Sequence, residues 1–363
     1  MTSSLQESFI RIISLGIGHH AEALMLPIEW QSLLTLAEQQ GLAAILVDGI
    51  ERLPDRQRPP KEDLLQMIGQ VVQSYEYRYE LYRRTIAELA GFYGEHGIKM
   101  MILKGYVCSL NWPKPEHRPC GDLDIWLFGK QKDGDSLLES EKRIRIDKSH
   151  HHHTVFCWRD FMVENHYDFV NVYAHKSSAE LEKIFKELGA DDSYFVEIKD
   201  TSTGSVTKVY MPSPNLHALF LIRHMVSHFA AAEISLRQVL DWAFFVEKHT
   251  KEIDWEWLLD ILDKYQMRDF FNLINAICVD DLGFAADIFQ EVRFIPELKE
   301  RVLADILDPA YGAAEPKRFF PRIAYKYRRW QGNAWKQKLC YSESRCESFW
   351  TGIWNHVLKP SSI

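Results

Sequence analysis

The sequence predicts an α+β fold: a small mixed β-sheet core flanked by N-terminal helices and a C-terminal helical bundle. Three observations carry this. Apolar residues recur at three- and four-residue steps through the first 97 residues, the spacing of one helix face. Between 98 and 210 the pattern changes to short apolar runs bounded by Gly, Pro and charged residues, as strands require. After Pro212 and Pro214 the helical period returns. The 363 residues, 46% hydrophobic and 26% charged, are globular in composition and sufficient for real cores.

The N-terminal region, 1–97, is punctuated by Pro54, Pro59 and Pro60. From Pro60 a long helix is predicted to run into Gly97, since the intervening residues contain no Pro and the stretch ends in a Gly-rich stop. The α+β region, 98–210, opens with a strand at Lys99–Leu103 and continues with one at Leu123–Phe128. The charged stretch from Gly129 to Ser149 has room for one modest helix. Thr154–Trp158 and Phe161–His166 read as a hairpin turning at Arg159-Asp160, and Phe169–Tyr173 and Val206–Tyr210 as further strands or edges. In 211–363, Leu216, Leu219, Phe220, Ile222 and Met225 mark one bundle helix, and Asp254 caps another that starts at Trp255.

Several classes are excluded or disfavoured. No apolar run reaches the ~18 residues of a membrane helix, because Arg11 and Arg223 interrupt the best candidates. The first residues lack the charge pattern of a secretory leader, and the six cysteines include no C-x-x-C pair, so a cytoplasmic protein with reduced thiols is expected. The net charge of −8 argues against a general nucleic-acid coat and leaves only local basic patches.

The most informative segment runs from Met100 to Leu127. One strand ends at Lys104-Gly105, and the next carries Asp122-Leu123-Asp124. Strand side chains at i and i+2 share a face, so Asp122 and Asp124 project together. Two such carboxylates repel or share a cation, and the pair suits Mg²⁺ held together with substrate phosphates. A solvated surface strand is the plainer account of a bare Asp-x-Asp. The context favours phosphate: Gly105 lets the backbone approach closely, a helix opening there presents N–H groups, and Lys104 and Arg118 supply positive charge.

These pieces, Leu103-Lys104-Gly105, then Arg118-Pro119-x-Gly121-Asp122-Leu123-Asp124-Ile125, then Val163-Glu164-Asn165-His166-Tyr167, resemble the nucleotidyltransferase-fold proteins, and within them the large group of uncharacterised nucleotidyltransferases. The resemblance extends over about 300 residues, weakly outside the core motifs. It implies that the sheet is a nucleotidyltransferase core. It also implies that Glu164, rather than its rival Asp168, completes a carboxylate site with Asp122 and Asp124. Lys104, Gly105, Arg118 and His166 are then expected around the nucleotide, with Mg²⁺ or Mn²⁺ as cofactor and an NTP such as ATP as substrate. One departure stands out: the fold's usual Gly-Ser pair is replaced by Lys104-Gly105 followed by Tyr106, so the phosphate-binding hydroxyl has no counterpart.

Other features are weaker. His150–His153 form a run that places alternate imidazoles on one face, and His224 and His228 stand four apart on a helix. Both are read as structural histidines ahead of metal sites, for want of carboxylates or thiols at ligand spacing. The last 48 residues carry +8 against −16 for the other 315 and interleave their cations with aromatics such as Phe320, Tyr327, Trp330 and Trp354. That combination suits an RNA acceptor; a terminal helix using its aromatics as core accounts for it equally simply. The function expected is metal-dependent transfer of a nucleoside monophosphate from an NTP to a hydroxyl of a small molecule, protein or RNA. The alternative is a catalytically inactive binding or regulatory protein on the same fold. An Asp-x-Asp glycosyltransferase is disfavoured by the lack of alternating strands and helices ahead of the motif.

Overall fold

The computed structural model describes residues 3–19, 28–172, 175–199, 204–290, 294–311, 316 and 318–342. Helices α1 (Ser4–Gly16), α2 (Trp30–Gln39), α3 (Ala43–Arg52), α4 (Lys61–Met67) and α5 (Gln73–Glu95) come first. Strand β1 (Met101–Ile102), helix α6 (Tyr106–Ser109), β2 (Leu123–Trp126), α7 (Gln131–Glu141), β3 (His153–Trp158), β4 (Phe161–His166), α8 (Lys176–Leu188), β5 (Phe195–Lys199) and β6 (Val206–Tyr210) follow. The chain then returns to helices: α9 (Pro214–Ala231), α10 (Leu236–His249), α11 (Trp255–Lys264), α12 (Arg268–Ala276), α13 (Pro296–Leu307), α14 (Phe319–Gly332) and α15 (Ala334–Cys340). The fold is α+β. None of the described helices is long and apolar enough to cross a membrane.

The long helix expected after Pro60 is α4 and α5 joined through a five-residue π-helical segment, Ile68–Val72. Asp254 caps α11 as expected, its side chain accepting from the Trp257 N–H. Two expectations need correction. Phe169–Tyr173 forms no strand among its described residues; Phe169 instead packs its ring on Trp126 and Phe185 at 4.4 and 5.6 Å. The further strand is Phe195–Lys199, whose exposed, charge-alternating face hides it from a search for apolar runs. Helix α8 was likewise not foreseen.

Contacts group the chain into two compact units. The first comprises Met1–Glu76, Asn111–Pro119 and Ile222–Ser342, and the second includes Tyr77–Leu110 and Cys120–Leu221. N-terminal helices and C-terminal bundle therefore share a unit, while most of α5 belongs with the sheet. Within the first, α1 and α3 cross with their backbones in contact. A Cβ on Gly16 would stand 2.2 Å from the Ile45 carbonyl oxygen, and one on Gly49 would stand 2.0 Å from that of Ile12, so only glycine permits this approach.

The second unit is built on a six-stranded mixed sheet of order β3-β4-β2-β1-β6-β5. Strands β2 and β4 run parallel, as do β1 and β6, while β1–β2, β3–β4 and β5–β6 are antiparallel. Its core gathers Tyr82, Ile86, Leu89 and Tyr93 of α5 with Ile102, Leu123, Ile125, Phe161 and Val163 of the strands. Burying one such side chain contributes about 1.5–3 kcal/mol. Because Leu123, Ile125 and Val163 face this core, Asp124 and Glu164 face the other way.

Candidate active site

Register brings the acids together. Strands β2 and β4 pair with Asp124 directly beside Glu164, and the hairpin of β3 and β4 sets His153 opposite His166. Asp135 of α7 fastens the opposite face of β4. It accepts hydrogen bonds from Asn165 Nδ2 at 2.8 Å, Tyr167 Oη at 2.6 Å and the Thr154 hydroxyl at 3.0 Å. With Asn165 held on one side, Glu164 and His166 are fixed on the other.

Lys104 leaves the end of β1, where the Leu103 N–H donates to the Asp124 carbonyl oxygen. Its Nζ stands 3.1 Å from Asp124 Oδ1 and 3.9 Å from Asp122 Oδ2. His166 Nε2 lies 3.1 Å from the same Asp124 oxygen and 3.6 Å from Glu164 Oε2. Asp124 is 1% exposed. One ligand atom each from Asp124, Glu164 and His166 lie within 4.8 Å of one another, and among the described residues no other group of three metal-ligating side chains converges in this way. That spacing and donor chemistry fit a divalent cation.

The electrostatics follow from three carboxylates facing two cations. Burial disfavours the charge on Lys104, but Asp124 and Asp122 outweigh it and raise its pKa. Burial likewise works against His166, yet its hydrogen bonds to Asp124 and Glu164 raise it to about 9, so the ring is an imidazolium at neutral pH. The hydrogen bond from His166 holds Glu164 below the usual carboxylate range. Burial, then the neighbouring Asp124 charge, pushes Asp122 up. Burial drives His152 down to about 3 and His153 to about 4, leaving both neutral beside a charged His166.

Gly105 has φ 67°, a region that favours glycine. A Cβ there would lie 2.4 Å from Tyr82 Oη, whose hydroxyl donates to the Asp122 carbonyl oxygen at 2.8 Å. The glycine thus makes room for a tyrosine that fastens the start of the Asp-x-Asp strand. The helix opening after it, α6, is a single four-residue turn. No sequence signal marks Tyr82 for this role. His153 was legible in principle, since equal steps back and forward from the Arg159-Asp160 turn pair it with His166.

Arg118 is placed differently from the expectation. It belongs to the first unit, is 4% exposed, and donates from Nε and Nη2 to the two Asp241 oxygens at 2.7 and 2.8 Å. Its Nη1 also donates to the Pro119 carbonyl oxygen. A buried guanidinium gripped by a fork of carboxylate oxygens has reason to stay there. Asp168, the rival to Glu164, pairs with Lys186 at 2.5 Å.

The remaining expectations divide. His150 stacks on His153 at 4.6 Å, and His152 lies 6.0 Å from His166, so the run borders the acids. His224 and His228 lie 4.3 Å apart on α9. The basic aromatic tail splits in two. In α15, Lys336 is 1% exposed and pairs with Asp305 at 2.5 Å, and Trp335 meets Phe229 edge to face, the behaviour of core. In α14, Phe320 and Tyr327 are 80% and 58% exposed, and Arg322, Lys326 and Arg328 are exposed too, as is Arg318 at the cap. Trp350 and Trp354 lie outside the described residues.

A family profile described as "Uncharacterised nucleotidyltransferase" matches residues 27–282. Among solved structures, an antigenic nucleotidyltransferase-like protein from Paracoccidioides brasiliensis aligns with 50% of this chain and 87% of its own. The identity is 13% and the TM-score 0.32. No curated protein matches.

Proposed function

Because this chain belongs to the uncharacterised nucleotidyltransferase family, we propose that it transfers a nucleoside monophosphate from an NTP to a hydroxyl group, with a divalent cation, Mg²⁺ or Mn²⁺, at the carboxylates. The observation that carries the reading is the register pairing of Asp124 with Glu164, with Asp122 one residue before β2 and Lys104 between the two aspartates. In the reaction the acceptor hydroxyl gives up its proton to solvent, its oxygen forms a bond to the α-phosphorus as the bond to the β-phosphate bridging oxygen breaks, and pyrophosphate leaves. Asp122, Asp124 and Glu164 are the residues proposed to hold the ion, which when bound would offset charge on the attacking and leaving oxygens. Glu164, kept below the usual carboxylate range, suits an anionic ligand better than a proton acceptor. Lys104 is proposed to hold a phosphate oxygen as a point charge once the ion takes over its share of Asp124.

For the acceptor, the exposed face of α14 favours RNA. Arg322 and Lys326 stand four apart on one side of the helix, with Arg318 at its cap, while Phe320 and Tyr327, seven apart, share another side. Cations beside exposed aromatic rings can neutralise phosphates and stack bases. An NTP- and RNA-using enzyme belongs in the cytoplasm, which is the location we propose.

The test is transfer of label from each α-³²P NTP, with Mg²⁺ or Mn²⁺, into RNA, protein and small-molecule fractions. Label that appears with wild type and vanishes in the Asp122→Asn/Asp124→Asn double variant supports transfer and identifies donor and acceptor fraction. A folded protein that labels nothing favours the second reading, a binding protein. Tyr106 in place of a phosphate-binding hydroxyl speaks for that reading.

A further inference from the structure

Resting on the reading of an ion-dependent site, we infer that this centre selects a first-row transition cation such as Mn²⁺ over Mg²⁺, with His166 Nε2 as one of its ligands. The donor set is the first ground. The atoms that converge belong to two carboxylates and one imidazole, those of Asp124, Glu164 and His166. Magnesium takes oxygen ligands and retains its waters, whereas an imidazole nitrogen suits transition ions.

The orientation of His166 is the second ground. Its Nδ1 lies 3.3 Å from the Asp168 carbonyl oxygen, so that nitrogen carries the N–H, and Nε2 is turned to the carboxylates, where its proton would pass to solvent as an ion binds in its place. Metal-binding histidines are held in the same manner, with the far nitrogen donating to a carbonyl or carboxylate. The sheet enforces the arrangement from both sides: Asp124 is the register neighbour of Glu164, and His166 lies two residues further along the same face of β4.

The third ground lies on β3. His153 faces His166 across the hairpin with ring centroids 5.4 Å apart. It is 8% exposed, and its Nδ1 and that of His152 are buried with no hydrogen-bond partner among the described residues. An orphaned buried polar atom carries a desolvation penalty, and an apolar residue would fill the space without it. Unpartnered imidazole nitrogens bordering a carboxylate pair make the surroundings nitrogen-rich, which again favours a transition ion.

The experiment uses the full chain, stripped of ions by a chelator. Mn²⁺ is titrated in and followed by electron paramagnetic resonance, Mg²⁺ competes against it, and pulsed measurements on bound Mn²⁺ read coupling to ¹⁴N. The same titration is run on His166→Gln. We expect Mn²⁺ to bind at least about tenfold more tightly than Mg²⁺, with ¹⁴N coupling in wild type; His166→Gln should lose that coupling and about tenfold or more in Mn²⁺ affinity while its Mg²⁺ affinity changes far less. Equal affinities overturn the inference, as does wild-type Mn²⁺ without ¹⁴N coupling, a result that needs no variant to fold. Coupling that survives in His166→Gln also overturns it, by moving the ion to the His150–His153 run. NMP transfer in Mg²⁺ with no ¹⁴N-coupled Mn²⁺ removes this inference and leaves the proposed function. ¹⁴N-coupled Mn²⁺ lost in His166→Gln, in a protein that transfers nothing, supports the inference and removes the function.

Discussion

Asp241 in the helical unit and Asp124 in the sheet unit are both nearly inaccessible, 4% and 1% exposed, and both face cations. Their surroundings differ in balance. Asp241 takes the Arg118 fork on its two oxygens and the Trp112 indole N–H at 2.9 Å, with Arg237 at 3.6 Å beyond. Its charge is fully answered, and nothing further is called for. Asp124 shares Lys104 with Asp122 and His166 with Glu164, so three carboxylates draw on two cations. A closed ion pair is a structural device, whereas a cluster left with negative charge invites a cation and a ligand's phosphates. Burial alone does not separate the two; the charge count around the buried acid does.

Asp241→Ala leaves a buried guanidinium without its counter-charge and should cost about 3–5 kcal/mol, read as a lower urea midpoint with unchanged slope; a loss under 1 kcal/mol would show the pair to be dispensable. Asp122→Asn should do the opposite on each axis. Transfer of label should fall on the order of a hundredfold, while the melting temperature holds or rises. The fold raises the Asp122 pKa, so its ionised form is a destabilising presence at pH 7. A melting loss as large as that of Asp241→Ala would make Asp122 a structural acid.

Within the sheet unit the histidines divide in the same way. His166 is raised from 6.5 to about 9 in the folded chain. Its contribution to ion-free stability is therefore fully present below pH 6.5 and disappears as pH rises through about 9. His152 and His153 are lowered from 6.5 to about 3 and about 4. Their contribution is present above pH 6.5 and declines as pH falls below it, because the unfolded chain then binds protons that the folded one refuses. Melting of chelated protein from pH 4 to pH 10 should fall on both sides of neutrality, and His166→Gln should remove the alkaline decline alone. The smallest effect belongs to α14. Arg322→Glu/Lys326→Glu should weaken RNA binding several-fold and flatten its salt dependence, measured by anisotropy at two salt concentrations, with the melt unchanged.

Much of the fold could be read from the chain because periodicity is local. The long helix after Pro60, the Asp254 cap and the hairpin turning at Arg159-Asp160 are written in neighbouring residues, and so is the shared face of Asp122 and Asp124. Strand β5 was missed because an exposed edge strand lacks an apolar run. Arg118 shows the limit at the site. Four residues before Asp122 it looks like part of the motif, yet Asn111–Pro119, within the chain between β1 and β2, belongs to the other unit, and its guanidinium goes to a carboxylate 123 positions away.

The α+β class, the family resemblance, the i and i+2 geometry of the two aspartates and the candidate residues at the ends of β1, β2 and β4 are all legible in the chain. Folding adds that Glu164 stands beside Asp124, that His166 and Lys104 share one aspartate oxygen between them, that Tyr82 occupies the space left by Gly105, and that Arg118 answers Asp241. The reason is physical: side-chain direction along a strand follows from backbone geometry a few residues long, whereas which charges meet depends on strand order and long-range packing, and neither leaves a periodic mark in the chain.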